Sequence, residues 1–297
     1  MSTSDRTSVL RQIADIEEQL ARLREQQEDA EATLRSLRTQ LELDETTFRS
    51  NEDNSEQAHP PTPENLTPEE KIILFLRLFR GRDDVFPRLW QNQKTGKKGY
   101  APACANEWVR GVCEKPRVKC GECPNQAFLP VTADVVLDHL RGRHVIGVYP
   151  MLKDETCWFL AADFDEAAWR EDVLAFTETC RRIGAPYTIE QSRSGNGAHV
   201  WFFFSSPVTA ATARRMGSYL ITETMARRHQ LSMASYDRLF PNQDTLPNGG
   251  IGNLIALPLQ YHLRQAGNTV FLDDALNPLP DPWSFLASLT PMRRRRR

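Results

Sequence analysis

The run Cys157-Trp158-Phe159-Leu160-Ala161-Ala162-Asp163-Phe164-Asp165 decides how this chain is read. Its first six residues carry no charge, and the run ends in acid, phenylalanine, acid. An unbroken apolar stretch of that length is short for a helix and fits a strand buried on both faces. Strand side chains alternate between faces, so Asp163 and Asp165, two apart, project from the same one. Two convergent carboxylates repel each other unless a cation lies between them, which makes the pair a candidate Mg²⁺ or Mn²⁺ site. Taken alone, Asp-x-Asp also fits a solvated turn after a core strand.

Working outward, β-type runs at 144–149, 157–162, 186–190, 199–204 and 254–257 alternate with helical patterns at 133–141, 171–183 and 210–228. The mixture predicts an α/β or α+β sheet domain, not a helix bundle, and there is no internal repeat. The folded part starts near Thr67. There Thr67-Pro68-Glu69-Glu70 supplies an N-cap and early acids ahead of the apolar stripe Ile72, Leu74, Phe75, Leu78 and Phe79.

Two more segments bear on the acidic pair. Ser192-Arg193-Ser194-Gly195-Asn196-Gly197-Ala198-His199 leads directly into Val200-Trp201-Phe202-Phe203-Phe204. Gly195 and Gly197 let backbone approach a ligand closely, and Ser194 and His199 can hydrogen-bond phosphate oxygens. Further on, Ser235-Tyr236-Asp237-Arg238-Leu239-Phe240-Pro241 places a third acid beside a cation, and Gly252-Asn253-Leu254-Ile255-Ala256-Leu257-Pro258-Leu259-Gln260 follows. Arg238 can pair with phosphate or with a neighbouring acid. Asn253 and Gln260 can position sugar, base or template, or serve as buried caps.

Cys104, Cys113, Cys120 and Cys123 fall within twenty residues. Thiolates suit tetrahedral Zn²⁺, and Cys120-x-x-Cys123 has the knuckle spacing. Cys104-x₈-Cys113 is wider than a standard knuckle, so His139 or His144 is an alternative to Cys104 as fourth ligand. A closed set of four leaves no open coordination position, so the expected role is structural, presenting Lys115, Arg117 and Lys119 to phosphates. A redox pair at Cys120 and Cys123 is the competing reading. Cys157 and Cys180 lie in apolar patterns and read as ordinary buried residues.

From Ile13 the positions Ile13, Ile16, Leu20, Leu23, Gln27, Ala30, Leu34, Leu37 and Leu41 alternate by three and four, a coiled-coil heptad that predicts a homo-oligomer through residues 13–41. A lone amphipathic helix folding back on the domain is the alternative. Residues 45–66 are polar, proline-bearing and aperiodic, as in a flexible linker. The domain plan is therefore a coiled coil over 1–44, a linker over 45–66, a catalytic domain over 67–285 with the cysteine cluster at 104–123, and a basic tail over 286–297.

Net charge is −2, but residues 1–66 hold seven basic and fifteen acidic side chains, and five of the remaining cations are Arg293 to Arg297. Bulk charge therefore says little about nucleic acid. No apolar run approaches the roughly 20 residues of a bilayer-spanning helix. The N-terminus lacks the basic-then-apolar order of a secretory signal, so the expectation is a cytoplasmic protein off the membrane, with reduced cysteines.

In order, GYAPACANEW, CEKPRVKCGEC, FLAADFD, SRSGNGAHVWFFF, YDRLFPNQD and GNLIALPLQ resemble the archaeo-eukaryotic primase superfamily, and most nearly the primase domain of TOTE conflict systems. In those prokaryotic elements such a domain accompanies a helicase and a nuclease. The resemblance spans about residues 70–265 and leaves the coiled coil outside. It implies an α+β catalytic core, an RRM-like sheet with helices, here with an inserted zinc-binding module and an N-terminal coiled-coil helix. It also implies a template-directed DNA primase or polymerase that uses two Mg²⁺ or Mn²⁺ ions on Asp163, Asp165 and Asp237. Gly197 and His199 match the second motif, so the resemblance assigns His199 to the incoming nucleoside triphosphate, with Ser194 and the 195–197 backbone lining the same pocket. Single-stranded or primed DNA is the implied template. No Gly-x-x-x-x-Gly-Lys-Ser/Thr phosphate loop occurs, so a helicase partner would lie on another segment or chain. A two-metal nuclease and a nucleic-acid-binding adaptor with an inert primase fold are the rival readings. No nuclease signature accompanies the acids, and the adaptor leaves three acids and a histidine without a task.

Overall fold

A computed structural model of the chain describes residue 16 and residues 66–227, 233–246 and 249–293. The chain divides into two compact units, Met1–Thr62 and Pro63–Arg297. In the first, Ile16 is helical and exposed; the rest of the expected coiled coil and all but residue 66 of the expected linker lie outside the described residues.

In the second unit Thr67 caps α1 (Pro68–Leu78) through a capping box: its hydroxyl accepts from the Glu70 N–H at 3.2 Å, and the Glu70 carboxylate accepts from the Thr67 N–H at 2.8 Å. A hairpin follows, β1 (Pro87–Gln91) and β2 (Lys98–Pro102), then the cysteine-bearing loops, α2 (Ala133–Leu140) and β3 (Gly147–Val148). The centre of the fold comprises β4 (Thr156–Asp165), α3 (Trp169–Ile183), β5 (Thr188–Gln191), β6 (Gly197–Thr209), α4 (Ala210–Arg227) and β7 (Tyr236–Phe240). It closes with β8 (Ile255–Ala256), α5 (Tyr261–Gln265), β9 (Phe271–Leu272) and α6 (Pro282–Ser288). The fold is thus mixed α and β, as the alternating patterns predicted. The expected strands at 144–149 and 254–257 shrink to the two-residue pair β3 and β8.

Five strands form one antiparallel sheet in the order β7-β4-β6-β5-β9. Its two faces follow from alternation along the central strands. Leu160, Ala162 and Phe164 of β4, with Val200 and Phe202 of β6, pack against Val173, Phe176 and Cys180 of α3 and Ala213 and Leu220 of α4. Phe159 and Ala161, with Trp201 and Phe203, face Phe75, Leu78 and Phe79 of the α1 region and Val136 and Leu140 of α2. From Phe159 through Ala162 both faces of β4 are dry, which is why this stretch is apolar without a break. Cys157 and Cys180 are buried in the α3 layer, as expected, and burial pushes each thiol up to about 12.

Residues 286–293 pack on the same unit. Leu286 of α6 is fully buried, and Met292 exchanges backbone hydrogen bonds with β6, its N–H to Phe203 O at 2.8 Å and its carbonyl from Ser205 N at 2.9 Å. Residues 294–297 of the arginine run lie outside the described residues. Among the described residues no helix is long and apolar enough to cross a membrane.

Candidate active site

Leu160, Ala162 and Phe164 of β4 point into the α3–α4 layer, so Asp163 and Asp165 stand on the opposite face, beyond the point where α1 and α2 cover it. Asp163 pairs with His199 on β6 and with Arg238 on β7, and Asp165 pairs with Gly197. The third acid reaches them through a register shift. Asp163 faces Arg238 while Phe164 faces Tyr236, so Asp237 is an extra residue in β7. This bulge re-aims the strand and turns Asp237 toward the face of the other two acids. Asp163, Asp165 and Asp237 bring ligand oxygens within 4.8 Å of one another, and among the described residues theirs is the group that meets that distance.

The start of β7 is pinned from behind. Asp172 of α3, fully buried, accepts from the Ser235 N–H at 3.1 Å and the Ser235 hydroxyl at 2.6 Å, while Ser235 O accepts from Asp165 N at 2.7 Å. One buried carboxylate thereby fixes the backbone on both sides of the acidic group.

Asp163 is 8% exposed, and its Oδ1 is buried with no hydrogen-bond partner. Burial raises its pKa to about 6, helped by Asp165 and Asp237 and opposed by His199 and Arg238. A buried carboxylate oxygen without a hydrogen bond is costly, and hard oxygen donors in this arrangement suit a divalent cation of the Mg²⁺ or Mn²⁺ kind. The three acids therefore fit such an ion.

His199 lies between two carboxylates. Its Nδ1 donates to Glu190 Oε2 at 2.6 Å, and its Nε2 is 3.5 Å from Asp163 Oδ1. Burial alone would lower the imidazolium pKa, but Glu190, then Asp163 and Asp165, outweigh it and raise the value to about 9. Glu190 is 1% exposed and also accepts from Trp201 Nε1 at 3.1 Å. No local motif in the sequence marks it. Its signal was an acid ending a buried strand, but the pairing Glu190↔His199 that gives it a partner belongs to the β5–β6 register.

The Ser192–Asn196 turn joins β5 to β6 beside this group. Ser192 N donates to Gly197 O at 2.9 Å, Gln191 Nε2 to Gly195 O at 2.6 Å, and the Ser194 hydroxyl accepts from Asn196 N at 3.2 Å. Gly195 has φ +77°, and a Cβ there would meet Asn268 Oδ1 at 2.6 Å, so glycine is needed twice over. Arg238 Nε bonds Asp237 Oδ2 at 2.6 Å, the acid-pairing alternative of its two readings. Asn253 Oδ1 accepts from Asn242 N at 3.3 Å while its buried Nδ2 has no hydrogen-bond partner, and Gln260 Oε1 accepts from Leu263 N at 3.0 Å as the cap of α5.

Cys104, Cys113, Cys120 and Cys123 line one cavity of about 20 Å³ with Lys115, Val118 and Phe128. Soft thiols suit Zn²⁺ by donor chemistry, but no three of these sulfurs lie within 4.8 Å of one another, the distance that the three acids meet. His139 leaves the list of alternative ligands. Its Nδ1 accepts from Ile146 N at 3.2 Å and its Nε2 lies 2.9 Å from Pro258 O, so both ring nitrogens are spent in the core.

The family described as TOTE conflict system, Archaeo-Eukaryotic Primase domain, matches residues 70–297. Among solved structures, the polymerase domain from Mycobacterium tuberculosis Ligase D in complex with DNA is similar at 11% identity and a TM-score of 0.39, over 79% of this chain and 90% of that one. No curated protein matches the chain.

Proposed function

Because the chain belongs to the archaeo-eukaryotic primase domain family of TOTE conflict systems, we propose that it is a template-directed nucleotidyltransferase, a DNA primase or polymerase that joins nucleoside triphosphates. One observation carries this reading: Asp163, Asp165 and Asp237 converge within 4.8 Å beside His199, with a buried Asp163 oxygen that has no hydrogen-bond partner and lies 3.5 Å from His199 Nε2. Nucleotidyl transfer asks the protein chiefly to align a 3′-hydroxyl with a triphosphate and to neutralise charge. Two Mg²⁺ or Mn²⁺ ions held by the three acids would supply that neutralisation and acidify the attacking hydroxyl.

The chain's own groups do the rest. Glu190 takes the Nδ1 proton of His199 as a hydrogen bond and so fixes the ring with Nε2 toward the acids, where its N–H can donate to a triphosphate oxygen. Ser194 and the 195–197 backbone line the same pocket. Arg238 steadies Asp237 and leaves its other guanidinium N–H groups for phosphate.

In the same proposal the five-stranded sheet is the RRM-like core of the family, and the four thiols hold one structural Zn²⁺. Residues 13–41 associate as a coiled coil, joined by a linker to a catalytic domain that starts at residue 67. The template is single-stranded or primed DNA, a helicase acts from another segment or chain, and the protein works in the cytoplasm.

Extension of a labelled primer with Mn²⁺ tests the reading, with primer-free and NTP arms to separate priming and sugar preference. Asp163→Ala is expected to stay folded and make no product. Wild-type extension by that variant sinks the assignment, and cleavage of the labelled strand in place of extension would favour a nuclease.

A further inference from the structure

Residues 87–102, the β1–β2 hairpin, carry Arg88, Lys94, Lys97 and Lys98 and no acid. Arg88 is bound to Glu107 at 3.2 Å. The three lysines are exposed, and none has an acidic partner among the described residues. Other cations of this unit are held by acids, as in Arg82–Asp84, Lys115–Glu107 and Lys153–Asp84. The turn that bears the lysines is held in shape. Asn92 Oδ1 accepts from the N–H groups of Lys94 at 2.9 Å and Thr95 at 3.1 Å, and Asn92 N donates to Lys97 O at 2.8 Å.

Next to that turn, Trp90 faces Gly99 across the hairpin. A Cβ at Gly99 would come within 3.0 Å of Trp90 Cζ2, so the indole lies close over backbone that bears no side chain. Even so, Trp90 is 45% exposed, which leaves ring surface open to a ligand. Midway along the hairpin, Tyr100 of β2 pairs with Leu89, and its buried hydroxyl lies within the electrostatic influence of Arg193 and of Glu190, the residue that holds His199.

We propose that the β1–β2 hairpin is a docking surface for a single strand of nucleic acid, with Lys94, Lys97 and Lys98 on its phosphates and a base stacked on Trp90. Unpaired ammonium groups complement a phosphate backbone, and an open aromatic face next to them accepts any unpaired base. The inference rests on the reading of the chain as a template-directed polymerase and names the surface that delivers the strand to its site.

Anisotropy of a labelled single-stranded DNA oligonucleotide, without added nucleotide or divalent cation, tests it over a salt series. In Lys94→Ala/Lys97→Ala/Lys98→Ala the slope of log affinity against log salt is expected to fall by about 2, roughly 0.7 for each phosphate of a single strand that is no longer neutralised. Trp90→Ala is expected to weaken binding by roughly 5- to 150-fold at an unchanged slope, the size of one base stack, and Trp90→Phe to restore most of it. A wild-type slope in the triple variant, wild-type affinity in Trp90→Ala, or no binding by the wild-type protein overturns the proposal. Thermal melting of each variant shows that the fold is retained. Synthesis is scored separately with Asp163→Ala, which is expected to bind the oligonucleotide normally. Failed hairpin binding with intact synthesis therefore refutes the hairpin alone, and binding without synthesis refutes the polymerase reading alone.

Discussion

Replacing Gly197 by alanine should disable the site while leaving the domain folded. A Cβ at Gly197 would lie 2.4 Å from Asp165 Oδ1 and 2.4 Å from the backbone oxygen of Phe164. Attractive carbon contacts begin near 3.5 Å, so about 1 Å of separation is needed. The Asp165 side chain can rotate away, but the Phe164 carbonyl belongs to β4 and can move only with its strand. Asp165↔Gly197 is the terminal pair of β4 with β6, so the strain is relieved by splaying the strand end that carries Asp165. Overpacking of this kind costs about 1–3 kcal/mol of stability. A shift of about 1 Å in a positioning group costs on the order of 10²-fold in rate. Primer extension with Mn²⁺ by Gly197→Ala is therefore expected to fall about a hundredfold, with a modest drop in melting temperature. Gly184→Ala supplies the contrast. Gly184 ends α3 at φ +76° with nothing within 4 Å of an added Cβ, so alanine there costs about 1–2 kcal/mol of backbone strain and spares synthesis. A Gly197→Ala protein that extends primers at the wild-type rate would refute the argument that this close approach holds Asp165 in place.

Other expectations follow from the same geometry. In Glu190→Gln the charge that raises the His199 pKa to about 9 is removed, so the alkaline loss of primer extension should move to lower pH; an unmoved pH profile would mean that Glu190 does not act through His199. Burial lowers the His139 pKa from 6.5 to about 4, so between those values the unfolded chain binds a proton that the folded one does not, and stability falls as pH drops through this window by up to about 3 kcal/mol. Denaturant titrations at pH 7 and pH 4.5 check this, and a His139→Gln variant should lose that part of the acid sensitivity. Elemental analysis is expected to find about one zinc per chain, with Cys120→Ser lowering both zinc content and melting temperature; full zinc occupancy in that variant would remove Cys120 from the ligand set. Asp172→Ala strips the two hydrogen bonds that hold Ser235, so it should cost roughly 1–3 kcal/mol for each donor left unsatisfied and reduce synthesis in the fraction that remains folded, measured by melting and by extension rate.

Local chemistry decided much of this protein from its sequence alone. The apolar run into Asp163, the Thr67 capping box and the glycine turn before His199 are readable because alternation, capping and backbone freedom act over a few neighbouring residues. The bulge that turns Asp237 to the acidic face and the pairing of Glu190 with His199 are not readable in that way. Each depends on strand register, which is set by packing between segments dozens of residues apart, and a slip of one residue would send the same side chain to the opposite face. The hairpin at 87–102 is hidden for a related reason: its polar residues lack an apolar alternation, and its shape comes from pairing with a partner strand. Sequence thus determined which acids are available, and tertiary structure decided the register and the bulge by which three of them meet beside a histidine held by a fourth.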